Sequence, residues 1–360
     1  MDGPSVKPAS LRTISLFELE SGSVSEEDKL LQTCTEDGFF YLDLTHPSQS
    51  PLLSEVDTVL ALSKDLFDYP LDIKTLFDVD KVSDLKVNGY KPKGRNIATK
   101  TGKTDGFETW VLPRNGLLHL TDAPFTYPSL IASNLAPLRG MIQRLSSAAK
   151  IIFSSLSASL YLPEGQRFEN FQGLTRPSPD ILRLLKYHAD ADTTCQPHVP
   201  HTDTGSLTFV FSSQPGLQIL PRGVSKKVQA QVDGSQRGSS SQLPWQYVAP
   251  RSGHAVVNVG DCLPKMTNGL LKSALHRVGP IEGCPMNERY SIDYLMRPED
   301  HTVLRLLDSP TIPPPSPSSS PESPITSGEW IRQKFKALRG ERDDANTLDQ
   351  IMTGGREVLN

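Results

Sequence analysis

From Ile181 onward the chain changes texture, and that change narrows its possible folds more than any other feature. Before it, stretches of apolar residues at helical spacing alternate with a few short strand-like runs. After it come short β-type runs divided by turn residues. The candidates are Leu182–Tyr187, Leu207–Phe211, Leu217–Leu220, Trp245–Val248, Ala255–Val259, Ala274–Val278 and Tyr290–Met296. Many short strands with turns between them fit a sandwich, barrel or jelly roll. Residues 222–243 interrupt the series with polar, Ser/Gly-rich sequence, expected to be a mobile inserted hairpin loop.

The first half has a mixed pattern. Leu11 to Phe17 suggests a short strand, and Ser25 is a candidate N-cap for a helix carrying Leu30, Leu31 and Cys34. Gly38 to Leu42 suggests a buried strand, and helices are expected at Leu52–Phe67 and Leu71–Phe77. Residues 80–106 suggest loop with one strand near Tyr90. Pro128 to Leu160 has long helical periodicity, which Pro137 is expected to kink or divide. Pro310 to Pro324 holds seven prolines among serines and favours extended chain. Helical segments at Glu329–Leu338 and Ala345–Met352 follow.

Composition excludes several function classes. Lys and Arg total 37 against 41 Asp and Glu, a formal net charge of -4, which does not suit an affinity built on phosphate neutralisation. Neither nucleic acid nor membrane is an expected partner. No apolar run is long enough to span a bilayer, and the first twenty residues lack a secretory pattern. Cys34, Cys195, Cys262 and Cys284 are dispersed, without a C-x-x-C pair, so neither a disulfide scaffold nor a zinc ribbon is expected. A reducing, cytoplasmic location and a monomer are the expectations.

The chemistry-bearing residues fall in the β region. His201-Thr202-Asp203 is an H-x-D, and in extended chain residues i and i+2 share a face. His276 lies in a later strand candidate. Two imidazoles and one carboxylate form a facial triad suited to ferrous iron, with positions left open; a closed structural zinc site usually has four ligands. Arg289-Tyr290-Ser291 again puts i and i+2 on one face, where a guanidinium fork and a hydroxyl can clamp a carboxylate.

These residues carry a specific resemblance. PHVPHTDTGSLTFVF, SGHAVVNVGDCLPKMTNGLLKSALHRV, LRLLKYHA and ERYSI resemble the strand motifs of the iron(II)- and 2-oxoglutarate-dependent dioxygenases of the isopenicillin N synthase-like class. The likeness spans about residues 11 to 300 and is dense over 181–296. It implies an α+β fold with a double-stranded β-helix (jelly-roll or cupin-like) core, flanked by N-terminal helices and followed by a Pro/Ser-rich segment and a helical tail. The parts would be an N-terminal α/β region at 1–125, scaffold helices at 126–175, the catalytic core at 176–300 and the linker with C-terminal helices at 301–360. The resemblance implies Fe(II) on His201, Asp203 and His276, the far carboxylate of 2-oxoglutarate on Arg289 and Ser291, and Tyr187 on its metal-side carboxylate as an orienting group. Oxygen would be the other co-substrate and ascorbate a stimulant. The expected reaction is hydroxylation, desaturation or cyclisation of a small organic molecule in specialised metabolism, releasing succinate and CO2. Departures from the family pattern are His188 after the tyrosine, Asp43-Leu44-Thr45-His46 after the first buried strand, and the 222–243 insertion.

Blander readings stand beside these. His198, between two prolines, suggests a loop residue; His254 suggests a structural role, and His188 either reaches the site or ends a strand. Asn258 and Asp261 in VNVGD suggest a turn fixed by side chain to backbone hydrogen bonds. Phe209 and Phe211 suggest core or pocket wall, and the cationic residues at 91–103 a solvated loop. Two alternative functions remain at this point: an iron oxidase of the isopenicillin N synthase type without 2-oxoglutarate, and a non-catalytic jelly-roll binding protein.

Overall fold

The computed structural model describes residues 7–83, 86–95, 104–189, 195–196, 198–221, 245–281, 286–315 and 324–338. The 222–243 insertion and the tail helix expected at Ala345–Met352 lie outside them.

Two sheets enclose the site. In chain order the strands are β1 (Thr13–Ser15), β2 (Phe39–Asp43), β3 (Gly89–Lys91), β4 (Thr104–Asp105), β5 (Phe107–Pro113), β6 (Ile181–Tyr187) and β7 (Cys195–Gln196). Then follow β8 (His198–His201), β9 (Leu207–Phe211), β10 (Leu217–Ile219), β11 (Gln246–Tyr247), β12 (His254–Val259), β13 (His276–Val278) and β14 (Arg289–Met296). The large sheet runs β1-β2-β12-β9-β14-β6-β5-β3, the small one β11-β10-β13-β8, and β4 pairs with β7. The result is the jelly-roll core expected from the run of short strands, with N-terminal strands hydrogen-bonded directly into its larger sheet.

The period-2 alternation of the strands decides where the core sits and where the site sits. On β14, Ile292, Tyr294 and Met296 join the main apolar core, whereas Arg289, Ser291, Asp293 and Leu295 face a cavity between the sheets. On β6, Leu182 and Leu184 face the core, and Arg183 and Tyr187 the cavity. On β9 the same division puts Leu207, Phe209 and Phe211 in the core and Thr208 and Val210 on the cavity wall. The helices at Ser50–Phe67 and Leu135–Ser159 cover the core face, burying Val59, Leu66, Ile142, Leu145 and Phe153. Each such side chain contributes about 1.5–3 kcal/mol.

Several local expectations shift. The first strand is only Thr13–Ser15, because Leu16–Glu20 turns into a helix capped by the Ser15 side chain. The next helix starts at Val24, which puts Ser25 inside it, with Ser23 at the cap. The long helical stretch breaks at Asn134 rather than at Pro137, between Ser129–Ser133 and Leu135–Ser159. Pro137 falls in the first turn of the second helix, where no intrahelical partner for its nitrogen is missing. Strand β5 was not expected from sequence at all. Its FETWVLP residues are buried on both faces, so they lack alternation, and Glu108 and Thr109 dilute the apolar run. Thr109 is satisfied by donating to the Leu184 carbonyl at 2.8 Å.

Glu108 is the hub of a buried polar network. Its Oε2 accepts from Lys74 Nζ at 2.8 Å and from the Tyr90 hydroxyl at 2.6 Å, and its Oε1 lies 3.2 Å from His188 Nε2. Burial alone would raise this carboxyl, but the His188, Lys74 and Tyr90 contacts outweigh it and bring the pKa down to about 2. A depressed carboxyl stabilises the fold fully above its unfolded value and loses that contribution as pH falls toward the folded one. Glu108→Gln should therefore cost about 3 kcal/mol at pH 7, at about 1.4 kcal/mol per pKa unit. The gap between parent and variant should close as pH drops from about 4.5 toward 2, as read by urea unfolding. A gap independent of pH would contradict this account of the network.

Candidate metal centre

The donor atoms of His201, Asp203 and His276 lie within 4.8 Å of one another, the one such cluster of three among the described residues. His201 and His276 are direct cross-strand partners on β8 and β13, with ring centroids 4.3 Å apart. Asp203 follows just past the end of β8. Its Oδ1 lies 3.7 Å from His201 Nε2 and 3.9 Å from His276 Nε2. The H-x-D and the distant histidine thus meet as their spacing suggested.

The carboxylate is oriented from behind. Asn258 on β12 donates from Nδ2 to Asp203 Oδ2 at 2.7 Å, which leaves Oδ1 turned toward the imidazoles. His276 Nδ1 donates to the Ala274 carbonyl at 3.1 Å, and that fixes the tautomer with Nε2 free to ligate. Burial would raise the Asp203 carboxyl. The charges of His276 and His201 and the Asn258 amide overcome this and hold it well below the ordinary carboxylate range. The acid is an anion ready for a cation, and the two-histidine, one-carboxylate set suits ferrous iron.

The turn between β12 and the short helix Cys262–Met266 clamps the loop. Asp261 N donates to Asp203 O at 2.8 Å, Cys262 N to Gly205 O at 3.0 Å and Gly260 N to Ser206 O at 2.9 Å. A methyl group on Gly260 would overlap the Gly205 carbonyl, so this approach requires glycine. The side chains also differ from expectation. Asn258 and Asp261 do not fix a turn through backbone contacts; Asn258 holds Asp203, and Asp261 Oδ2 accepts from Thr202 Oγ1 at 2.9 Å. The VNVGD segment suggested a turn because sequence shows its turn residues and not its neighbours.

The other end of the cavity carries unmatched donors. Arg289 is only 2% exposed, and its Nε and Nη1 have no hydrogen-bond partner; Ser291 Oγ has none either. Both face the same cavity as the triad. A buried guanidinium without a paired anion is costly, and an anionic ligand end between these groups would satisfy it. Tyr187 lies beneath the Arg289 guanidinium, 5.0 Å from ring centre to guanidinium carbon. Asp293, one step further along the same face, is buried, and burial raises its carboxyl above the ordinary value.

His198 is where the sequence reading failed. It is a strand residue lining the cavity, with its ring stacked 4.4 Å from that of His201 and its Nδ1 3.3 Å from the Tyr187 hydroxyl. It lies three positions before His201, but their partners Val278 and His276 are only two positions apart, so the ladder carries a register irregularity. The extra residue brings both imidazoles to one side, and no sequence signal marks it. Burial, then the neighbouring His201, push its pKa well below the usual histidine value. His188 instead turns away to Glu108. His254 begins β12 with Nδ1 donating to Ser252 O at 2.8 Å. Lys91 is no solvated loop residue: it is buried on β3 and paired with Asp105, and Arg95 pairs with Asp78 and Asp80. Residues 96–103 lie outside the described chain.

Known proteins agree with this geometry. The family model of the 2OG-Fe(II) oxygenase superfamily matches residues 179–298, the span holding every triad and clamp residue just named. The chain is 31% identical over 350 residues to the 2-oxoglutarate-dependent dioxygenase gloE of Glarea lozoyensis, covering 96% of this chain and 93% of that one. It is 30% identical over 360 residues to the 2-oxoglutarate-dependent dioxygenase frbH of a Dothideomycetidae species, covering 98% and 97%. In fold it is similar to a full-length Neurospora crassa protein solved in complex with alpha-KG and thymine, with a TM-score of 0.70 at 20% identity over 91% of this chain and 96% of that one. Likeness over nearly the full length of such relatives, with a His-Asp-His cluster at the matched strands, establishes that this chain belongs to the 2OG-Fe(II) oxygenase superfamily.

Proposed function

We propose that the chain oxidises a small organic molecule of specialised metabolism, with His201, Asp203 and His276 holding Fe(II) and Arg289 and Ser291 receiving the far carboxylate of 2-oxoglutarate. The carrying observation is the pairing, in one cavity, of a His-Asp-His donor set with a buried guanidinium whose Nε and Nη1, and a hydroxyl whose Oγ, have no hydrogen-bond partner. Held by these residues, iron and 2-oxoglutarate would supply the oxidising chemistry, coupling the two-electron oxidative decarboxylation of 2-oxoglutarate to succinate and CO2 with a two-electron oxidation of an unactivated C–H bond at the expense of one O2. The chain's own work is positional. Asn258 holds one oxygen of Asp203 so that the other faces the metal position. Tyr187, packed against Arg289 and hydrogen-bonded to His198, keeps the guanidinium in place from below and orients the co-substrate. Phe39, Val210, Leu217 and Val278 form an apolar wall that keeps water from the reacting centre.

Support for a small substrate comes from the enclosure of the cavity between two sheets and from the thymine bound by the structural neighbour. The fungal dioxygenases among its relatives support a place in specialised metabolism. The R-x-S pair does not decide against an iron oxidase needing no 2-oxoglutarate, but the named 2-oxoglutarate dependence of the relatives weighs against it. A non-catalytic binding role gives no reason to preserve both donor sets. A cytoplasmic location and a monomeric state belong to the same proposal. Among the described residues no helix is long and apolar enough to cross a membrane.

The decisive assay is succinate release from 2-oxoglutarate under oxygen with Fe(II), with and without ascorbate. The parent should release succinate and His201→Ala should not; equal release by the two would reject the triad assignment. Arg289→Gln should raise the KM for 2-oxoglutarate about tenfold or more, since a charge-assisted bidentate contact is lost, with a smaller effect on kcat. An unchanged KM would place the co-substrate elsewhere. Asn258→Ala should weaken Fe(II) binding about 10- to 100-fold, the usual cost of losing an outer contact to a metal ligand; anaerobic metal titration with no loss would remove Asn258 from that role.

A further inference from the structure

The C-terminal helix, Ser327–Leu338, returns to the core from beyond the Pro/Ser-rich segment. Its start is fixed by a reciprocal cap: Thr326 Oγ1 accepts from Glu329 N at 3.3 Å, and Glu329 Oε2 accepts from Thr326 N at 2.9 Å. Ser327 Oγ donates to the Pro298 carbonyl at 2.9 Å and Gly328 N to Asp300 O at 3.0 Å, which pins the helix beside the end of β14. Ile331 and Lys334 then point inward, at 3% and 4% exposure.

A lysine buried this deeply requires an anion. Lys334 Nζ pairs with Asp261 Oδ2, the same oxygen that accepts from Thr202 Oγ1. Thr202 is the residue between His201 and Asp203, and the Asp261 backbone N–H is bound to the Asp203 carbonyl. Three linked contacts therefore run from the tail helix to the metal loop. Buried ion pairs add little net stability, but removing one partner leaves an uncompensated charge. Without Lys334, Asp261 would sit as an unpaired buried anion directly behind the Asp203 loop.

We infer that Lys334 is a positioning residue for the metal centre: its ammonium pairs with the Asp261 carboxylate and holds that side chain in place, so that Asp261 holds Thr202 and the His201–Asp203 turn in ligating geometry. The inference rests on the reading that the triad binds iron. The C-terminal helix then serves the active site without touching metal or substrate. Sequence gives no hint of this, because Lys334 lies in an otherwise ordinary amphipathic helix beyond a proline-rich tether.

The test is a double-mutant cycle on the full chain, reading the Fe(II) dissociation constant by anaerobic equilibrium dialysis with iron quantified. Lys334→Met should weaken iron binding about tenfold or more, as loss of an outer-sphere support does. In an Asp261→Asn background, where the ion pair to the metal loop is already broken, adding Lys334→Met should change the constant by less than about threefold. If Lys334→Met cannot be purified folded, Lys334→Gln, whose amide still donates to Asp261, replaces it in the same cycle with a smaller loss expected. Iron binding by the lysine variant that equals or exceeds that of the parent, even with a lower melting temperature, overturns the inference and leaves Lys334 as a packing residue. A parent that retains no more iron than His201→Ala fails the metal reading itself, a different result from a parent that binds iron and a lysine variant that matches it.

Discussion

A single carboxylate, Asp203, governs the arrangement of the cavity. It is buried between two sheets, where an unpaired anion is not tolerated. One of its oxygens is committed to Asn258 and the other faces two imidazoles. The backbone at Asp203 and just beyond it is clamped by Asp261 and Cys262, whose amides bind the Asp203 and Gly205 carbonyls. The charge is thus held in a fixed direction and still needs a cation to complete it. Iron provides that cation in the superfamily to which the chain belongs.

The jelly roll makes this possible by dividing labour between the faces of its large sheet. The outer face of β6, β9, β12 and β14 is hydrophobic and is covered by the long helices, so it carries the stability. The inner face of the same strands carries Arg183, Arg289, Ser291, Asp293, Thr208 and Asn258, a polar lining that no core could accept. Alternation with a period of two lets adjacent residues serve these opposed purposes. Stability and reactivity are separated by one peptide unit.

Support for the cavity comes from all parts of the chain. Phe39 reaches it from the N-terminal strand β2, and Phe107 of β5 lies 4.8 Å from the His198 ring. Lys74, from a short helix, reaches Glu108 next to Phe107. The tail helix reaches the metal loop through Lys334 and Asp261. These contacts tie segments of weak local preference to the one place where charge is concentrated, and their order depends on the central sheets having formed.

The sequence by itself determined the class of fold and the triad. Short runs with turn residues dictate strands, H-x-D places two donors close together, and R-x-S places a cation and a hydroxyl on one face; each is a local relation that spacing encodes. Strand β5 escaped because burial on both faces erases alternation, and Lys91 because its partner Asp105 lies across a β-ladder. Only tertiary structure decided that His198 joins His201, since a register irregularity against β13 makes three residues do the work of two. Only tertiary structure decided that Asn258 serves Asp203 and that Lys334 serves Asp261. These are contacts between residues far apart in the chain, and a buried charge finds its partner through the packing of whole elements, which no local pattern records.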